Sequence, residues 1–134
     1  MLAFDIDDTL ADVSFNNLYS KEQLLGRYEK AKVLYKPTKP FIAVTARGRD
    51  SEVIKITNRW IAANFDNCEG VYFVDGSEED KIKGKAEIVK RYNAEGYVDS
   101  KISTLALFIK YNITGIKLYH LIQSSKQIKL FKEL

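Results

Sequence analysis

The chain has 134 residues and a mass of 15.4 kDa, with 46% hydrophobic residues, which is the size and apolar content of one compact domain over 1–134 with its own core and no room for a second. A lone cysteine, Cys68, excludes an internal disulfide and a cysteine-built zinc site; it is expected to be a small buried apolar residue in a reducing, cytoplasmic setting. Apolar stretches fall short of the ~18 residues of a membrane span, a strand starting at Leu2 leaves no leader segment expected, and a net charge of +3 permits a polyanionic substrate without demanding one.

The first predicted strand, near 2–6, runs into Asp5-Ile6-Asp7-Asp8-Thr9. Period-2 geometry puts Asp5 and Asp7 on one side of an extended backbone, and the turn that Asp8-Thr9 favours can swing the second carboxylate over the first. Two ionised carboxylates this close repel by roughly 4 kcal/mol at about 4 Å and an effective dielectric near 20, so a cation must accompany them or one must hold a proton. A divalent, oxygen-preferring cation would keep Asp5 ionised as a nucleophile, and Asp7 with a raised pKa would protonate a leaving oxygen. The competing reading is an Asx-type turn after an ordinary strand.

A helix is predicted near 20–35, then, past Pro37 and Pro40, a strand near 41–45 that ends in Thr45-Ala46-Arg47-Gly48-Arg49. A hydroxyl and free backbone N–H groups there suit phosphate oxygens, Arg47 offers a bidentate contact to an anion, and Asp50 or Ser51 starts the next helix. Arg47 as a solvated loop residue paired with Asp50 or Glu52 is the alternative. In the helix near 50–65, Val53, Ile56, Trp60 and Ala63 recur as a face packed on a sheet. A strand follows near 71–74, then a helix near 84–93 in which Ile88, Val89 and Tyr92 place Lys85 in the first turn. Asp75, Glu78, Glu79 and Asp80 are read as an acidic loop. Strands near 96–99 and 116–120 alternate with helices near 102–112 and 124–133, Gly115 marking the entry to the last strand. Such alternation predicts an α/β fold: three Rossmann-like layers around a mainly parallel, five-stranded sheet. His120 and Tyr97, Tyr111 and Tyr119 are read as packing residues before catalytic or base-stacking ones.

The Asp5-Ile6-Asp7-Asp8-Thr9 run after an apolar strand resembles the first motif of the haloacid dehalogenase-like phosphatases. The resemblance implies that Asp5 becomes phospho-aspartate, that Asp7 is the general acid/base, and that Asp5 and the Asp7 carbonyl hold Mg2+. It matches Thr45 to the second motif and implies a third-motif lysine, Lys85 with Lys83 as rival, and a metal ligand at Asp99, with Ser100 where many members carry a second acid. Short connections at 10–40 and 46–80 make the chain similar to capless members. Thr45-Ala46-Arg47 followed by Thr57 and Trp60 also resembles the phosphatase domain of polynucleotide kinase-phosphatases. Together these imply a magnesium-dependent phosphomonoesterase acting on a DNA or RNA 3' end, the alternatives being a small-metabolite or nucleotide phosphatase and a catalytically weak phosphate-binding module.

Overall fold

The computed structural model describes residues 1–14 and 16–134. Among them, β1 (Leu2–Phe4), β2 (Phe41–Thr45), β3 (Cys68–Phe73), β4 (Tyr97–Asp99), β5 (Lys117–Ile122) and β6 (Gln127–Glu133) form one sheet in the order β3-β2-β1-β4-β5-β6. The first five strands pair in parallel and β6 runs antiparallel to β5. The connections hold α1 (Lys21–Lys30), α2 (Ser51–Asn64), α3 (Glu78–Arg91) and α4 (Ile102–Lys110).

Strand alternation sorts the core into two halves. Ala3, Ile42, Val44, Tyr97 and Leu118 meet Ile82, Ala86 and Val89 of α3 and Leu105 and Phe108 of α4. On the other face Phe4, Phe41, Ala43 and Val98 meet Trp60 and Ile61 of α2. The sheet is thus covered on both sides, which is why the central β2 sequence FIAVT is buried at every position. This is an α/β architecture compatible with the Rossmann-like class. The chain builds outward from β1 to β3, then crosses back to place β4 on the other side of β1. β1 and β4 therefore flank the switch point, where loops diverge and leave a crevice at the carboxyl ends of the strands.

The structure departs from the sequence expectation in several elements. The sheet has six strands among the described residues, not five, because 124–133 is not a helix. Lys126 turns at φ 56°, and β6 folds back to satisfy the edge of β5. The first helix stops at Lys30, since the Leu34 N–H bonds Leu10 O and the Asp12 N–H bonds Lys32 O, committing the following residues to the loop after β1. The third helix starts at Glu78, six residues early, on a reciprocal cap between Ser77 and Asp80. Glu78, Glu79 and Asp80 are accordingly its first turn, not a loop over the site, and Lys85 lies mid-helix, not in the first turn. On α2 the packed stripe is Val53, Thr57, Trp60 and Ile61, while Ala63 faces solvent. Cys68 is only half-buried, at the start of an edge strand.

Gly84 sets how closely α3 approaches the sheet, since a Cβ there would stand 2.8 Å from Val74 Cγ1. That approach carries the next residue, Lys85, down to the end of β1. Asn93 at φ 53° and Asn112 at φ 56° follow the ends of α3 and α4 in left-handed backbone, the usual helix stop.

Candidate functional site

Beyond β1 the Asp5 N–H still bonds Val98 O at 3.0 Å, so Asp5 is held in line with the sheet. The chain then turns sharply. Leu10 and Ala11 both donate to Ile6 O, and Asp8 sits at φ 60°, a conformation that aspartate tolerates better than most residues. This turn brings Asp7 to the same cavity as Asp5, a space of about 370 Å³ that is also lined by Arg47, Lys85, Asp99 and Lys101. Residues from the ends of β1, β2 and β4 and from the middle of α3 therefore converge at the switch point.

Asp5 is held from both sides. Its Oδ1 accepts from Lys85 Nζ at 3.0 Å and its Oδ2 from the Thr9 hydroxyl at 3.3 Å. Lys85 is 3% exposed. Burial by itself would lower the pKa of this amine, but Asp5 and Asp99 outweigh it and the value stands above that of an ordinary lysine. Lys85 is a permanent cation aimed at the first carboxylate. Lys83, by contrast, points to solvent and pairs with Glu79 at 3.1 Å, so of the two lysines only Lys85 reaches Asp5.

Asp7 is tied differently. Its Oδ1 accepts from Arg47 Nε at 3.1 Å and Nη2 at 2.7 Å, while Arg47 Nη1 donates to Thr57 at 2.9 Å. The guanidinium lies 3.7 Å over the Tyr28 ring, so α1 and α2 both hold it. Burial raises the Asp7 pKa above the ordinary carboxylate value, with Arg47 opposing and Asp5 adding to the rise. Pairing of Arg47 with Asp50 or Glu52 does not occur; Lys21 binds both of those at 3.1 and 3.0 Å. Thr45 is buried, and its hydroxyl accepts the Arg47 N–H at 3.2 Å, shaping the turn that exposes Ala46 and Arg47 to the cavity.

Asp99 is 1% exposed. Its Oδ1 accepts the Lys101 N–H at 2.9 Å and its Oδ2 the Tyr97 hydroxyl at 2.6 Å. The same Tyr97 oxygen accepts from Lys85 Nζ at 2.7 Å. Loss of water, and secondly the Asp5 charge, push the Asp99 pKa up to about 7. Ser100 binds the neighbouring turn instead of the cavity: its hydroxyl donates to Asp8 O at 2.6 Å and its N–H to Thr9 Oγ1 at 3.2 Å. His120 contacts the Ser100 carbonyl at 3.1 Å, away from the cavity lining.

No protein-family model, curated protein or solved structure matches the chain. Among the described residues no group of three or more His, Cys, Asp or Glu side chains is placed to hold a metal ion by itself. Asp5, Asp7 and Asp99 nevertheless line one cavity, where burial first and the Asp5 charge second raise the Asp99 pKa. An all-oxygen donor set of this kind suits a hard divalent ion such as Mg2+.

Of the other side chains at the site, the sequence named Thr9 and Thr57 only within their motifs, took Tyr97 as a packing residue and did not single out Tyr28. A signal for Tyr97 was present, since residues two apart on a strand share a face and Tyr97 precedes Asp99 by two. Tyr28 carried none, because a helical residue meets a loop residue only after the layers assemble. Trp60 is a core residue, as expected, with its indole N–H on Ala31 O at 2.9 Å.

Proposed function

We propose that this chain is a capless phosphatase of the haloacid dehalogenase-like type, a magnesium-dependent phosphomonoesterase working through phospho-Asp5. The observation that carries the reading is the buried 3.0 Å contact between Lys85 and Asp5 at the end of β1, with Asp7 turned into the same cavity. Asp5 Oδ attacks phosphorus and the bond to the leaving oxygen breaks, that oxygen taking a proton from Asp7. Water then attacks the phospho-aspartate, Asp7 accepts its proton, and Asp5 and inorganic phosphate are released. Lys85 offsets negative charge on the nucleophile and on the transferring group, the Ala46 backbone meets the phosphoryl oxygens, and Arg47 acts by holding Asp7 in place at the cavity. Asp5, Asp7 and Asp99 would hold Mg2+, which when bound supplies charge stabilisation to the phosphoryl group.

The connections β1 to β2 and β2 to β3 each contain one helix among the described residues, which supports an open, uncapped site. An open site suits the end of a polymer, and a DNA or RNA 3'-phosphate is the favoured substrate, on the strength of Arg47 in the loop after β2. With Trp60 in the core, the likeness to polynucleotide phosphatases rests on that loop and on Thr57, which receives Arg47.

Hydrolysis of p-nitrophenyl phosphate, a 3'-phosphorylated oligonucleotide, mononucleotides and sugar phosphates, each with Mg2+, tests both levels. The expected result is turnover by the wild type, fastest on the oligonucleotide, and loss of it in Asp5→Asn. Equal inactivity of the two proteins across the panel overturns the phosphatase reading, and preference for the small esters overturns the polymer end.

A further inference from the structure

Tyr97 stands where a central strand calls for an apolar side chain. It is fully buried, with its ring 5.1 Å from that of Phe108, and a phenylalanine would fill the same space. Its hydroxyl is nevertheless fully used: it accepts from Lys85 Nζ at 2.7 Å and donates to Asp99 Oδ2 at 2.6 Å. The phenol oxygen thus lies between the buried cation and a buried carboxylate.

Lys85 faces two carboxylates, Asp5 and Asp99, in a site where charges attract strongly. An ammonium with two such partners is drawn to both. Asp99 already has one oxygen on the Lys101 N–H, and Tyr97 occupies the other. With both oxygens of Asp99 engaged, Asp5 is the carboxylate that Lys85 contacts directly, at 3.0 Å.

We infer that Tyr97 is a positioning residue: its hydroxyl keeps Lys85 on Asp5 and apart from Asp99. The inference rests on the phosphatase reading only for its catalytic consequence, since the placement of Lys85 is a structural claim. The phenol keeps the charge of Lys85 on the nucleophile and leaves Asp99 without a direct ammonium contact, an arrangement that pairing of Lys85 with Asp99 would abolish.

Tyr97→Phe tests this, because it removes the oxygen and keeps the ring. Crystallography of the variant is expected to show Lys85 Nζ moved from Asp5 to Asp99. Titration with Mg2+ alone, followed by calorimetry, is expected to show weaker binding by about tenfold, as the lysine now competes for Asp99. On p-nitrophenyl phosphate kcat should fall by about tenfold or more with KM changed less than about twofold. The double variant Tyr97→Phe/Asp99→Asn, in which the rival carboxylate is neutral, should return Lys85 to Asp5. A Tyr97→Phe structure with Lys85 still on Asp5 and wild-type Mg2+ affinity overturns the inference and leaves Tyr97 a core filler. Should Lys85 move while even the wild type hydrolyses no ester, the positioning role stands and the phosphatase reading falls alone.

Discussion

Arg47 grips Asp7 through two nitrogens, at 3.1 and 2.7 Å, while its own flat face rests 3.7 Å from the Tyr28 ring. The side chain of Arg47 is 1% exposed and that of Asp7 23%. Such a clamp both fixes the direction of the Asp7 carboxylate and lowers its proton affinity, against a larger rise from burial. Replacing Arg47 by methionine should extend the alkaline limb of the kcat profile to higher pH, because Asp7 then keeps its proton longer. A pH–rate series comparing the two proteins checks this; an unchanged or acid-shifted limb would refute Asp7 as the acid.

The same contact predicts that lysine cannot replace arginine. An ammonium lacks the planar fork that bonds Asp7 and Thr57 together and stacks poorly on Tyr28. Arg47→Lys should lose about 1–3 kcal/mol of stability in urea unfolding.

Lys85 and Asp5 form a buried ion pair, and removing one member strands the other. Lys85→Met should destabilise the fold by about 3–5 kcal/mol near neutral pH. The loss should shrink as pH falls and the stranded carboxylates take up protons, so chemical denaturation at several pH values is the measurement.

Asp99 has a folded pKa of about 7, whereas an unfolded aspartate titrates near ~3.9. Between those values the folded chain holds a proton that the unfolded chain has released, so this residue makes stability fall as pH rises through the window. In chelator-treated protein the wild type should lose more stability than Asp99→Asn between about pH 4 and 7. Adding Mg2+ should raise the wild-type Tm more at pH 8 than at pH 5.5, since the cation competes with that proton. Scanning calorimetry with and without chelator reads both effects.

Gly84 has almost no room for a side chain. An alanine Cβ would sit 2.8 Å from Val74 Cγ1, a stiff β-branched neighbour, and α3 would have to lift. Gly84→Ala should cost about 1–3 kcal/mol despite alanine's better helix propensity, and should lower kcat by shifting Lys85. Thermal unfolding and turnover measured together test the coupling.

Much of the fold was legible because its signals are local. The buried FIAVT run, the Asp50 cap and the strand–helix alternation each follow from neighbouring residues, and they placed five parallel strands and four helices in order. The final hairpin was misread because Ile128, Phe131 and Leu134 also fit a helical period, and what decides for a strand is the free edge of β5. The start of α3 was misplaced because Asp80, with Asp75, Glu78 and Glu79, looked like an acidic loop, although the cap it forms with Ser77 is a sequence-level signal.

Residue type and spacing alone determined that two aspartates leave the first strand together and that a threonine, an arginine, a lysine and a third aspartate follow at strand ends or on a helix. Tertiary structure decided which of them meet. Lys85 reaches Asp5 while Lys83 faces water, because Gly84 lets α3 sink onto the sheet. Arg47 turns to Asp7 and away from Asp50, because Tyr28 and Thr57 from two helices receive it. Tyr97 enters the site because burial leaves its hydroxyl those two charged partners. Contacts between distant segments depend on how layers pack, and a linear pattern records the layers but not the pairings across them.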